Sequence, residues 1–319
     1  MHRTFINKIA TLYNIILQFI TIDIWKLNIN DIKGVRARFI KYLKVVIITA
    51  KNTGNDKLGL YTVSLSYFTA LAVVPFAAAA FVVTGGFGLE RKLEQLLLES
   101  FVENQETLKW IIQFAENIVK NSQQGLFGII SFLCFLWIVI WMIINVEKSF
   151  NRIWKVNRAR SFTKRILYYI GIIVITPLVL TLFLSVVLFY RNAVQSLGTG
   201  FGVKYLGDSI GFVLQWLLFY GVVSIIFCMM FKLIPNTKVK FHAAMNAAWI
   251  TSLAFVIMQY LYMETQVMVS RMNAVYGAYA AIPLFLVWLN ISWTIILIGA
   301  EISHAFQNLD TQEEAIGNK

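Results

Sequence analysis

The sequence predicts an all-α polytopic membrane protein with six transmembrane helices, both termini in the cytoplasm and amphipathic helices at the interface. Three observations lead there. Six charge-free runs punctuate the chain, at 58–83, 125–146, 166–190, 209–231, 243–263 and 272–300. The shortest holds 21 residues and the longest 29, and about 20 apolar residues in a helix cross the ~30 Å hydrocarbon layer. A helix is also the one open segment that satisfies all its own backbone polar groups in lipid. Composition agrees, with 58% hydrophobic and 14% charged residues and a mean hydropathy of +0.68, where soluble domains carry ~25% charged. The basic residues, finally, alternate between loops. Of the 28 Lys and Arg, 21 lie in 1–57, 148–165, 232–242 and the C-terminal tail, and seven in the three intervening connections. Basic loops stay cytoplasmic, which fixes the expected orientation.

The first segment, 1–57, is basic and amphipathic without a run long enough to span. Phe5, Ile9, Leu12, Ile16 and Phe19 follow helical spacing, as do Phe39, Leu43, Val46 and Ile47, with a break at 28–34. No cleavable leader is expected, because Lys8 interrupts the first twenty residues and no small-residue cleavage site follows. The membrane domain is expected over 58–305, followed by a cytoplasmic tail at 306–319. The first span is rich in hydroxyls, and Pro75, Pro177 and Pro283 place three of the four prolines inside spans as candidate hinges. Residues 85–124 form the one sizeable external segment. Leu89, Leu93, Leu96, Leu97 and Phe101 share one helical face, and Leu108, Ile111, Ile112, Ile118 and Val119 another, so two short amphipathic helices joined near Asn104 fit. They either cap the bundle or lie on the outer leaflet.

The sixth run carries the most ordered polar pattern. At 100° per residue, Tyr276, Tyr279, Pro283, Asn290, Thr294 and Glu301 fall within ~40° of one line down the helix. With Ser64, Ser66, Tyr67 and Thr69 of the first span, the stripe residues Tyr276, Tyr279, Asn290 and Thr294 are the candidate lining of an internal cavity. The second run ends on Glu147 followed by seven basic residues and no acid up to Arg165. Glu147, Lys148, Arg152, Arg165 and Glu301 are therefore the candidate cytoplasmic gate or head-group site. An acid at a membrane edge wants a base, so Glu147 or Glu301 is expected to bridge to Lys148, Arg152 or Arg165.

Four motifs in order, Ser64–Phe76 (SLSYFTALAVVPF), Asn151–Trp154 (NRIW), Lys232–Val239 (KLIPNTKV), and Val275–Asn290 (VYGAYAAIPLFLVWLN) followed by Gly299-Ala300-Glu301, resemble the YihY/BrkB family of bacterial inner-membrane proteins. The resemblance covers 58–305 and implies a six-helix inner-membrane protein. It also implies a link to the cell envelope: members of that family have been tied to serum resistance and lipid traffic, and some carry an older ribonuclease BN label.

That label finds no chemistry in the residues. Metal-assisted hydrolysis needs clustered carboxylates or histidines. Glu147 and Glu301 sit at one predicted face, with Asp208 and Glu264 ~30 Å away on the other. His2, His242 and His304 are scattered, Cys134 and Cys228 lie within spans, and Gly198–Gly202 follows no strand. No enzyme, cofactor or metal is expected, nor nucleic acid, since topology accounts for the basic charge. The leading expectation is a protein that transports or handles a lipid-like or small anionic molecule, with membrane lipids and anionic head groups as partners. The alternative is an envelope scaffold without transport, in which the polar stripe joins helices and Ala274, Ala278, Gly277 and Ala281 are packing sites. No coupling ion is named, because no run contains an acid or histidine.

Overall fold

The computed structural model describes residue 18 and residues 24–26, 34–100, 105–122, 126–156, 160–161, 165, 167–171, 173–182, 184–185, 204–272 and 274–309. Among these there is no strand. After a helical turn at Ile24–Lys26, the helices are α1 (Val35–Asn55), α2 (Leu58–Gly86), α3 (Glu90–Ser100), α4 (Gln105–Ser122), α5 (Leu126–Ile153), α6 (Leu167–Leu182), α7 (Lys204–Leu233), α8 (Phe241–Met272) and α9 (Ala274–Gln307). Among the described residues four stretches are long and apolar enough to cross a membrane: Leu58–Gly86, Trp216–Leu233, Phe241–Val269 and Ile282–Gln307. Residues 126–146 of the second run lie within α5, and the run at 166–190 is described in part, as the shorter apolar α6.

α9 is the hub, packing against α1, α2, α5, α7 and α8. Its closest partner is α8, because both present small residues to the seam. Ala244, Ala247 and Ala248 of α8 and Ala300 of α9 are fully buried. At Gly299 a Cβ would lie 2.2 Å from Thr251 Oγ1 and 2.6 Å from Phe231 Cζ, so only glycine lets the backbones approach this closely. Around the seam, Phe150, Ile153, Phe227, Phe231, Leu65 and Leu297 complete the main core.

α2 lies beside α5 and α9. It ends where Gly88 takes φ +68 and the Leu89 amide donates to the Thr84 carbonyl at 2.7 Å, turning the chain into α3. The two amphipathic helices do not lie apart from the bundle. α4 packs on α2 and α5, and Ile112 closes a small core with Ala78 and Phe81, flanked by Leu98 and Leu108.

α1 starts at Gly34, φ +82, the last residue of the break expected from sequence. It docks antiparallel on the end of α9: Tyr42 meets Phe306 edge-on at 5.5 Å, and Val45 and Ile48 pack with Ala305, Phe306 and Leu309. Its opposite face leaves Val35, Phe39 and Val46 exposed. The face calculated from Phe39 and Val46 is thus the outer one, and the buried stripe is one residue round the helix. Of the residues 5–20 expected as a helix, all but residue 18 lie outside the described residues.

Candidate functional site

The basic segments converge on one end of the bundle. The end of α1, the end of α5, the turn between α7 and α8 and the end of α9 meet there, held by side chains on backbone. The Asn236 amide donates to Asn151 Oδ1 at 2.8 Å, and the Arg160 guanidinium donates to the Leu233 carbonyl at 2.7 Å. Gln307 spans the turn from the other side, accepting from the Lys240 amide at 2.7 Å and donating to the Lys238 carbonyl at 3.0 Å. The turn at Pro235–Asn236 is therefore braced from three separate segments. Asn151 and Pro235–Asn236 belong to two of the motifs noted in the sequence, and the contact gives both a structural role. Trp154, in the first of them, sets its ring edge-on to His304 at 5.2 Å.

Two adjoining cavities open at this end. The larger, about 380 Å³, lies between α2 and α5 and is lined by Asp56, Lys57, Leu60, Tyr61, Ser64, Asn145, Lys148, Ser149 and Arg152. The smaller, about 340 Å³, is lined by Asp56, Asn151, Arg152, Lys155 and Val156. Asp56 and Arg152 are common to both. Four basic side chains thus surround one acid, and Leu60 and Tyr61 give the groove an apolar wall.

The backbone at two of these residues is strained. Lys57 and Lys155 are the non-glycine residues with positive φ among the described ones, each at φ 52. Left-handed backbone costs an L-residue roughly 1–2 kcal/mol. Lys155 stands at the helix-stop position that glycine usually takes, with the Val156 amide closing on the Asn151 carbonyl at 2.8 Å. Strain of this kind collects where a side chain must be aimed. Both lysines line the cavities.

Beside the groove, Glu147 is 1% exposed and engages three donors. Arg165 Nε lies 3.2 Å from its Oε2, the Tyr169 hydroxyl donates to the same oxygen, and Asn151 Nδ2 donates to Oε1 at 3.4 Å. Although burial pulls the Arg165 pKa down, the hydrogen bond to Tyr169 and the charge of Glu147 outweigh it and leave the guanidinium more firmly protonated than usual. Of the bridges expected from sequence, the structure contains the one between Glu147 and Arg165. Lys148 and Arg152 take no part in it: both are exposed on the groove, Lys148 over the Trp141 ring at 6.0 Å. Glu301 is fully buried and makes no salt bridge to any of the three bases named for it.

The mid-bundle candidates are placed differently from the expected cavity lining. Ser64 lines the larger cavity. Ser66 donates to the Thr62 carbonyl of its own helix at 2.7 Å, and Thr294 to the Asn290 carbonyl at 2.8 Å. Thr69 accepts from Trp293 Nε1 at 2.9 Å, tying α2 to α9. Tyr67 is 60% exposed on the outer face of α2. Ser64 and Tyr67, three apart, share one side of the helix, but that side ends at the groove and Tyr67 does not line it. Asn290 is half-buried, while Pro283 is exposed and Pro75 and Pro177 are buried. The side chains of Tyr276, Tyr279, Ala274, Ala278, Gly277 and Ala281 lie outside the described residues, as does the segment 198–202. Among the described residues no three His, Cys, Asp or Glu side chains form a group able to hold a metal ion. Asp56, Lys57 and Lys155 were not singled out from sequence, and Trp154 and His304 were named there only as part of a motif and as a scattered histidine. A signal existed for Asp56, the single acid in the basic stretch from 32 to 57.

Comparison with known proteins bears on the whole arrangement. The family described as Virulence factor BrkB matches residues 49–319. A UPF0761 membrane protein of Verminephrobacter eiseniae is 31% identical over 78% of this chain and 58% of its own length. Another, from Acinetobacter baylyi, is 27% identical over 83% of this chain and 62% of its own. The chain thus spans about three fifths of the length of these relatives, whereas one from Haemophilus influenzae, 24% identical, is covered over 95%. No solved structure matches. The matched region runs from the second half of α1 through every element of the groove, and the chain belongs to the BrkB family of integral membrane proteins.

Proposed function

We propose that this protein is a six-span protein of the bacterial inner membrane, both termini cytoplasmic, that takes the anionic head group of a membrane lipid into the groove between α2 and α5. The carrying observation is the groove itself. Its basic side chains Lys57, Lys148, Arg152 and Lys155 stand over an apolar wall, and two of them are held there against backbone preference. An amphiphile with a phosphate suits that pairing: the acyl chain lies along Leu60 and Tyr61, and the phosphate accepts from the bases. Each Lys or Arg near a membrane surface contributes about 1 kcal/mol toward anionic lipid. The loop charges support the orientation, since the groove lies at the end where the basic segments gather.

The activity we assign is binding and movement of lipid, not catalysis. Glu147, the acid nearest the basic cluster in sequence, is already engaged by Arg165, Tyr169 and Asn151. A second reading, an envelope scaffold that holds lipid without moving it, is favoured by one observation. Ser66 and Thr294 turn their hydroxyls back on their own helices, and Thr69 accepts the Trp293 indole N–H between two helices, instead of lining a path through the bundle.

Purification in native lipid followed by mass spectrometry tests the binding step. Anionic lipid should be retained by the wild type and depleted in Lys148→Ala/Arg152→Ala, with neutral lipid unchanged. Equal anionic lipid in both would overturn the assignment. Lipid scrambling in proteoliposomes then separates transport from scaffold.

A further inference from the structure

Beneath the groove lies a group that head-group binding does not use. Glu301 is fully buried, and neither of its carboxylate oxygens makes a well-formed hydrogen bond, although Asn52 and Asp56 approach it. The polar groups that face it come from two directions: Asn52 and Asp56 at the end of α1, and Lys155 just past α5. His304, one turn on along α9, is 5% exposed, has an unpartnered Nδ1 and faces the same Lys155 and Asp56. Phe231 of α7 and Ala244, Ala247 and Ala248 of α8, all apolar, belong to the same buried cluster as the neighbouring Ala300. On the α1 side Thr49 Oγ1, Asn52 Nδ2 and Thr53 Oγ1 are buried without partners as well. Unpaired buried polar atoms are costly, and a native site that keeps several together usually has a use for them.

Two of the facing residues also reach the groove. Asp56 lines both cavities and Lys155 lines the smaller. We propose that Glu301 and Asp56 form a proton-binding site under the groove, and that the groove takes up its anion together with a proton. This rests on the head-group reading above. With the groove empty, Lys155 lends its positive charge to the buried carboxylates. An anion seated on Lys155 and Arg152 spends that charge and adds a negative one, and a carboxylate near a new negative charge gains affinity for a proton. A hydronium ion or buffer acid gives up the proton, its own bond to it breaking, and an O–H bond forms on a Glu301 oxygen beside the half-buried Asp56. No other covalent bond changes. The site then holds no net extra charge after binding, which is what moving an anionic head group into a low-dielectric interior requires.

The test uses the full chain in detergent micelles and dioctanoyl phosphatidylglycerol, whose phosphodiester stays ionised throughout the working range and so cannot supply the signal. Calorimetric titration at about pH 9, where the buried carboxylate is ionised before lipid binds, in buffers of different ionisation enthalpy counts the protons taken up per lipid bound. The wild type should take up a proton fraction approaching one, with affinity rising up to about tenfold per pH unit lowered. Glu301→Gln, which carries the neutral form permanently, should bind lipid at least as tightly as wild type with an affinity independent of pH, and take up none. Asp56→Asn provides a second variant should Glu301→Gln fail to fold, and should also abolish uptake. Binding without uptake in the wild type, or undiminished uptake in both variants, overturns the proton site while leaving the head-group reading intact. Absence of binding in the wild type overturns the head-group reading and the proton site with it.

Discussion

Replacing Lys155 by glycine should move stability and lipid binding in opposite directions. Lys155 holds φ 52 at the end of α5 and lines the smaller cavity. Glycine occupies this backbone without penalty and relieves roughly 1–2 kcal/mol of strain. It also loosens the unfolded chain, which returns about 0.5–1 kcal/mol of that gain. The net expectation is a folded state unchanged or up to about 1 kcal/mol more stable. Head-group binding loses one cation, about 1 kcal/mol or fivefold in affinity. Lys155→Ala separates the two effects, because alanine removes the same charge and keeps the strain. Both variants should bind phosphatidylglycerol about fivefold more weakly, and the glycine variant should be about 1 kcal/mol more stable than the alanine one. Unfolding in detergent and lipid titration on the same preparations read both quantities. Wild-type lipid affinity in the glycine variant would refute the idea that the strain aims a binding side chain. A glycine variant less stable than the alanine one would refute the strain itself.

Other outcomes follow from the packing. In a double-mutant cycle of Glu147→Gln and Arg165→Ala, measured by reversible unfolding, the coupling should be about 1–3 kcal/mol, and additivity within ~0.5 would show the pair to be idle. Arg165 retains 21% exposure, so a value at the lower end is expected. Gly299→Ala should cost about 1–3 kcal/mol by wedging α9 off Thr251 and Phe231, seen as a lower unfolding temperature. Asn151→Ala strips the Asn236 amide of its acceptor and should cost about 1–2 kcal/mol, with faster hydrogen exchange confined to the turn at 234–240.

Periodicity and charge carried the reading a long way, and their limits have a physical cause. Apolar run length marks a helix that can cross a bilayer, so the stretches beginning at Leu58 and Phe241 were legible at once. The two amphipathic helices of 85–124 and the break ending at Gly34 were legible because apolar spacing and glycine are local signals. What a helical face packs against is not local. The polar line through Asn290 and Thr294 was visible, but not that Thr294 turns back on its own backbone or that the neighbouring Trp293 reaches Thr69. Ser, Thr and Trp have such internal options in any helix, so a polar stripe alone does not imply a pore. Glu147 and Arg165 were within reach of the reading because they flank one short basic segment. Asp56 and Glu301 come from opposite ends of the chain, and only the antiparallel docking of α1 on α9 brings them face to face.

Photo-crosslinking tests the central claim most directly. A phosphatidylglycerol carrying a photoreactive head group, reconstituted with the full chain and irradiated, should label the groove, with adducts concentrated within 56–64 and 145–156 and lost on competition with unlabelled phosphatidylglycerol but not phosphatidylcholine. Adducts spread over the exposed faces of α7 and α8, or unaffected by the competitor, would contradict a head-group site between α2 and α5.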